Sequence, residues 1–197
     1  MSGKDPEVLS HPLDPLSPEE VGTAYSILTS QEDIGEDSLC IKVELKEPLK
    51  DTLQAYENGG DIPERRARIV VRNSADRKTI EAIVSLDREA VTEFEHVEGA
   101  QPSLAIEEFL ACEETVKANT EWREALRERG VENPDRAMVD PWSAGHEFIP
   151  EDIDRSKRLA HGLTFLRPDE ESGDEGYATP VTGLHTFVDL DRMKVLK

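Results

Sequence analysis

Aromatic residues make up only 5% of this 197-residue chain, and there are two cysteines. No apolar run approaches the ~18 residues that mark a bilayer span. Cationic side chains are also scarce: 23 Lys and Arg stand against 43 Asp and Glu, a net charge of −20. Each shortage excludes something. A surface this acidic repels phosphate, so nucleic acid is not an expected partner, because that affinity comes from Lys/Arg counterion release. Anionic membrane surfaces are disfavoured for the same reason. Cys40 and Cys112 are too few for a disulfide framework and are expected to be reduced and buried. The opening MSGKDPEVLSHPLDPLSPEE has no apolar core of a signal peptide, which predicts a cytoplasmic protein.

What is abundant is acid, spread along the chain rather than gathered in a tail. Among the cations, 14 are Arg and only 9 are Lys. This pattern suits a salty cytoplasm, where screening shortens self-repulsion to a few ångströms. An acidic surface that mimics DNA or captures cations is the weaker reading. No segment has the D-x-[DN]-x-[DN]-G spacing of a calcium loop.

The first fifteen residues are Pro-rich and polar, an extended arm. Ser17-Pro18-Glu19-Glu20 is a capping box with proline at the first helical position. Val21, Ala24, Tyr25 and Leu28 follow at helical spacing, so a helix is expected to run to about Ser30. Leu39, Ile41, Val43 and Leu45 alternate with polar residues or cysteine, the pattern of a half-buried strand. Leu49, Leu53 and Tyr56 suggest a short helix ended at Gly59-Gly60. Strands are expected over 66–71, 79–86 and 91–97, with turns at Asn73–Asp76 and Asp87–Ala90. Gly99-Ala100-Gln101-Pro102 reads as a linker.

Beyond it, Ile106, Phe109, Leu110 and Val116 mark a helix. Trp122, Ala125 and Leu126 mark another, closed by Gly130. Strand candidates are 136–139, 159–166 and 184–190. The acidic stretch from Pro168 to Gly176 reads as a flexible loop. Val84-Ser85-Leu86-Asp87-Arg88-Glu89-Ala90-Val91 matches Val188-Asp189-Leu190-Asp191-Arg192-Met193-Lys194-Val195 at five of eight positions, 104 residues apart. Both copies predict a strand, a tight turn and a returning strand, and so two related α+β units. In the second copy the returning strand has only begun when the sequence stops at Lys197. A free edge wanting its partner implies that the chain is the front of something longer.

These residues support a family comparison. His11-Pro12-Leu13-Asp14-Pro15-Leu16-Ser17 resembles the opening of bacterial-type copper amine oxidases that lack an extra N-terminal domain. Glu108-Phe109, Cys112-Glu113 and Val116-Lys117-Ala118 on one helix resemble the same family. So do Arg129-Gly130-Val131 and Asp140-Pro141-Trp142-Ser143-Ala144-Gly145. Tyr177-Ala178-Thr179-Pro180-Val181-Thr182-Gly183-Leu184 with Val188-Asp189-Leu190 resembles the family's Tyr-Ala-Arg-Pro-Ile-Glu-Gly stretch and the strand after it. Here Thr179 replaces the usual Arg and Thr182 the usual Glu.

The resemblance implies two cystatin-like α+β domains, 1–98 and 99–197, each with helices on an antiparallel sheet. In the family these precede a β-sandwich catalytic domain that oxidises primary amines to aldehydes, releasing ammonia and hydrogen peroxide. That domain holds one copper ion and topaquinone, a quinone made from its own tyrosine. The implied partners are therefore the absent catalytic domain and, through it, an amine substrate. Dimerisation is implied only for the full enzyme.

None of that machinery can be placed on this sequence. The family's copper needs a His-x-His pair and a third histidine. The histidines here are His11, His96, His146, His161 and His185, and no two are separated by one residue. The quinone precursor sits in an Asn-Tyr-Asp/Glu context, whereas Tyr25, Tyr56 and Tyr177 sit in Ala-Tyr-Ser, Ala-Tyr-Glu and Gly-Tyr-Ala. No catalytic, cofactor-binding or metal residue is assigned.

Other candidates read as structural. Cys40 and Cys112 have no adjacent His to activate them. His161 reads as a satisfied histidine in a strand rather than a pH-sensitive group. Trp142 reads as a core aromatic beside a turn rather than a ligand platform with Gly145. Glu107-Glu108 and Glu113-Glu114 read as a solvated helix face rather than acid/base carboxylates. Gly59-Gly60 lacks the G-x-x-x-x-G-K-[ST] pattern of a phosphate loop.

The chain is therefore expected to be the non-catalytic front of a salt-adapted amine oxidase, inactive alone. The alternative of a different class is a stand-alone acidic binding module or a degenerate gene product. The charge argument is open to a melting experiment. With −20 on the chain, the Tm is expected to rise as NaCl is raised from low to molar concentration. A Tm indifferent to salt would contradict the adaptation.

Overall fold

A computed structural model describes residues 11–73, 76–145, 147, 149–167 and 176–197. The acidic loop read over 168–176 falls outside these but for Gly176, and so do the first ten residues of the arm and two residues of the Asn73–Asp76 turn. Among the described residues there are four α-helices and two four-stranded antiparallel sheets. The chain divides into two compact units, Met1–Pro102 and Ser103–Lys197.

In the first unit, helix α1 (Pro18–Gln31) begins on the capping box. The Ser17 hydroxyl accepts from the Glu20 amide at 3.1 Å and the Glu20 carboxylate from the Ser17 amide at 2.8 Å. Strand β1 (Leu39–Leu45), a short helix α2 (Lys50–Glu57) and strands β2 (Arg66–Arg72), β3 (Thr79–Ser85) and β4 (Ala90–Val97) follow. The strands pair in chain order, β1-β2-β3-β4. Alternation puts Ala67, Ile69 and Val71 of β2 on one face, where Ala24 and Leu28 of α1 meet them with Ile80, Ala82 and Val84. The other face is ionic: Arg68 bonds Glu44 across to β1 at 3.4 Å and Glu81 on β3 at 2.7 Å.

The second unit repeats the plan with its extra helix moved. Helices α3 (Ile106–Ala118) and α4 (Thr120–Glu128) come first, then β5 (Ala137–Ser143), β6 (Leu159–Leu166), β7 (Pro180–Asp189) and β8 (Lys194–Val195), again paired in order. The core joins Cys112, Val116, Trp122 and Leu126 to Ala137, Val139, Ala160, Val188 and Leu190. Gly162 on β6 is required here, because a Cβ would come within 2.9 Å of Val139 Cγ1. Helix α4 ends as its sequence foretells. Gly130 takes φ +83°, the Val131 amide donates to the Leu126 carbonyl and the Gly130 amide to that of Arg127. On the opposite face of the sheet, Ile149 and Ile153 pack on Leu159 and Phe187.

Two sequence readings are corrected. Helix α3 forms where Ile106, Phe109, Leu110 and Val116 mark it, with Ile106 and Leu110 exposed; it buries Glu108, Cys112 and Val116, an i, i+4, i+8 row. Glu108 is thus no part of a solvated face. Trp142 lies within strand β5, not beside a turn in the core, and is 60% exposed. Pro141 is tolerated there because β5 is an edge strand.

The buried Glu108 has a buried partner. Arg158 Nε and Nη2 donate to its two carboxylate oxygens, both at 2.6 Å, and Nη2 also reaches the Ser103 carbonyl at 3.0 Å. The same Glu108 accepts from the Ala105 amide at 2.9 Å, half a capping box, since alanine has no side-chain acceptor to return the bond. The first unit holds the matching device. Arg65 donates through Nε and Nη2 to Glu20, at 2.8 and 2.9 Å, and to the carbonyls of Asp14 and Pro15. The Arg65 hydrogen bonds hold the Glu20 carboxyl below its ordinary range. Its contribution is present above the unfolded carboxylate pKa and is lost as pH falls through the folded value.

Removing one member of a buried pair strands the other charge, at a cost of about 3–5 kcal/mol, whereas replacing both can be nearly neutral. Denaturant titration of Arg158→Met is therefore expected to show a loss of that size, and the double variant Arg158→Met/Glu108→Leu a substantial recovery. Equal loss in both would show that the pair's charge compensation is not what matters.

Candidate functional site

The two cysteines take opposite positions. Cys112 is fully buried on α3, where burial, then the charges of Glu108 and Glu113, push its thiol up to about 12. That thiol is no nucleophile at neutral pH. Cys40, expected to be buried, is exposed on β1 instead. It falls, like Lys42, on the exposed positions of the strand's alternating pattern.

The histidines are divided among separate places. His11 caps a turn, its Nδ1 accepting from the Leu13 amide, and meets Tyr56 edge-on. His96 stands edge-on to Phe94 on β4. His146 lies outside the described residues. His161 on β6 and His185 on β7 do come together, with Nε2 and Nδ1 3.1 Å apart. The His161 ring also lies flat on Phe187, with centroids 4.8 Å apart and planes within 6°. Burial, then His185, lowers the His161 pKa from its ordinary value. His161 is thus packed, as read from the sequence, but its polar partner is a second imidazole that sequence spacing does not reveal. The strand register makes the pair: His161 faces Phe187, and Leu163 faces His185.

This face of the second sheet has further exposed aromatics. Trp142 pairs across β5–β6 with His161, and its indole N–H donates to Asp140 at 2.8 Å. Tyr177 is exposed and packs edge-on to Phe165. Glu107, Glu113 and Glu114 form no converging carboxylate pair: Glu113 accepts from the Val139 amide and pairs with Lys117. Gly59 and Gly60 close α2 through bonds to the Tyr56 and Ala55 carbonyls.

Among the described residues no three His, Cys, Asp or Glu side chains converge to hold a metal ion. His11 and His96 belong to the first unit and His161 and His185 to the second. Tyr56 meets a single imidazole, that of His11, and Tyr177 packs on Phe165. These residues do not fit a three-histidine copper centre with a quinone. No helix among them is long and apolar enough to cross a membrane.

Comparison with known proteins places this fold. Residues 11–96 match the family model described as copper amine oxidase, N2 domain, and residues 107–197 that of copper amine oxidase, N3 domain. The chain belongs to the copper amine oxidase family. It is 36% identical over 190 residues to a primary amine oxidase of Arthrobacter sp. (strain P1), covering 96% of this chain and 28% of that protein. A peroxisomal copper-containing diamine oxidase of Nicotiana tabacum is 31% identical, over 95% of this chain and 28% of its own length. Among solved structures, a copper-containing benzylamine oxidase from Hansenula polymorpha aligns with a TM-score of 0.72 at 18% identity, over 95% of this chain and 29% of that one. The chain therefore corresponds to the non-catalytic N-terminal domains of these oxidases and spans little more than a quarter of their length.

The contrast between the thiols is directly measurable. A thiol reagent at pH 8 is expected to modify Cys40 rapidly in the folded chain and Cys112 only after denaturant is added. Two equivalents reacting at one fast rate in the native protein would contradict the burial of Cys112.

Proposed function

We propose that this chain supplies the two peripheral, cystatin-like domains of a salt-adapted cytoplasmic copper/quinone amine oxidase and helps to form the rim of its substrate entrance. The parent reaction would convert a primary amine, water and dioxygen to an aldehyde, ammonia and hydrogen peroxide in a domain this chain does not contain. The observation that carries this reading is the match of both units, in order, to the N2 and N3 domains over 11–197, at about a quarter of the relatives' length. None of the three tyrosines has the quinone-precursor context of the family.

The outer faces of the two sheets suggest which unit meets the catalytic domain. That of the first is laced by Arg68, Glu44 and Glu81. That of the second exposes Trp142 and Tyr177, side chains of the kind that anchor interfaces.

Purified chain, incubated with copper and oxygen and then with small primary amines, is expected to form no quinone detectable by redox-cycling stain and to release no peroxide. Peroxide production by residues 1–197 alone would overturn the non-catalytic assignment. Sequencing the gene past codon 197 gives a second reading. An open frame carrying His-x-His and Asn-Tyr-Asp/Glu supports the proposal, and a stop followed by unrelated sequence supports a stand-alone module.

A further inference from the structure

We infer that His161 and His185 form a two-imidazole binding site for a divalent late transition-metal ion, of which Cu²⁺ is the tightest-binding member. The inference goes beyond the reading of the chain as part of an oxidase and does not depend on it. Metal–imidazole bonds are about 2.0–2.1 Å, which places two nitrogens on adjacent coordination positions about 2.9–3.4 Å apart. The His161 Nε2 to His185 Nδ1 separation is 3.1 Å, already inside that interval.

That distance also suits a hydrogen bond between the rings, and the two states are linked. Without metal the pair shares one proton; a cation replaces that proton when both facing nitrogens present lone pairs. This requires the Nδ1–H tautomer of His161 and the Nε2–H tautomer of His185. Each remaining N–H is then left to hydrogen-bond outward, as in other metal-bound imidazoles.

The strands prepare the site. Pairing of β6 with β7 fixes both backbones, and the Phe187 ring lies flat against His161 and holds its plane. His185 is exposed and its ring lies against that of His161, with centroids 5.2 Å apart and planes 26° apart, so metal binding requires it to turn its nitrogen to the solvent side. Two nitrogen donors with water in the other positions favour Cu²⁺ over Ni²⁺ and Zn²⁺ by the usual order of divalent affinities.

The experiment is a titration of the full 197-residue chain with Cu²⁺ alone, followed by calorimetry and electron paramagnetic resonance, and repeated with Zn²⁺. His185→Ala removes an exposed ligand without touching the core; His96→Ala is the control. The wild type is expected to take up one Cu²⁺ with hyperfine coupling to two imidazole nitrogens, and to bind Zn²⁺ more weakly. His185→Ala is expected to weaken Cu²⁺ binding by about 10-fold or more, given that even supporting partners of a metal ligand act on this scale. His96→Ala should leave it unchanged.

Binding by His185→Ala equal to wild type would overturn the site. So would a wild-type spectrum showing one imidazole or none, or a loss matched by His96→Ala. Copper held here without peroxide release would leave the proposed function intact, and absence of copper binding would not touch it.

Discussion

Each unit turns on an arginine that holds the beginning of a helix against the beginning of a strand. Arg65 and Arg158 stand immediately before β2 and β6, and each grips the glutamate three residues into the unit's first helix. The same guanidinium groups take backbone carbonyls from the segment that leads into that helix. Their own carbonyls accept from Leu86 and Leu190, the residues that follow β3 and β7. One side chain and its backbone thus fix three elements: helix entry, central strand and the next hairpin. The helix rows follow from this. With Glu20 and Glu108 anchored, residues four and eight farther on, Ala24 and Leu28 or Cys112 and Val116, are brought over the sheet.

Much of this was legible from sequence, for local reasons. Ser17-Pro18-Glu19-Glu20 announces α1 because every donor in a capping box lies within three residues. Alternation over 66–71 and 79–86 announces β2 and β3, since period two is a property of the strand itself. Gly130 announces the end of α4, because the backbone there needs a positive φ. The family resemblance, carried by separated motifs in order, matched both domain models.

What was hidden depends on partners far along the chain. Glu108 looks solvated until Arg158, fifty residues later, is placed beside it. Once it is buried, Ile106 and Leu110 turn outward. Trp142 follows a proline, which by itself argues against a strand; only the sheet order shows that β5 lies at an edge. His161 and His185 meet diagonally, through a register that no spacing in the sequence records. Cys40 reads as a small packed residue, yet it shares the exposed positions of β1 with Lys42.

Glu89 and Met193 share no chemistry, yet both lie in the left-handed region, at φ +48° and +45°. Each follows the Leu-Asp-Arg of its hairpin, 104 residues from the other. Neither is glycine, so each turn carries a cost on the order of 1 kcal/mol that a residue without a side chain would escape. The two halves agree at a point where their residues do not. At that position what they hold in common is the course of the main chain and not the side chain it carries.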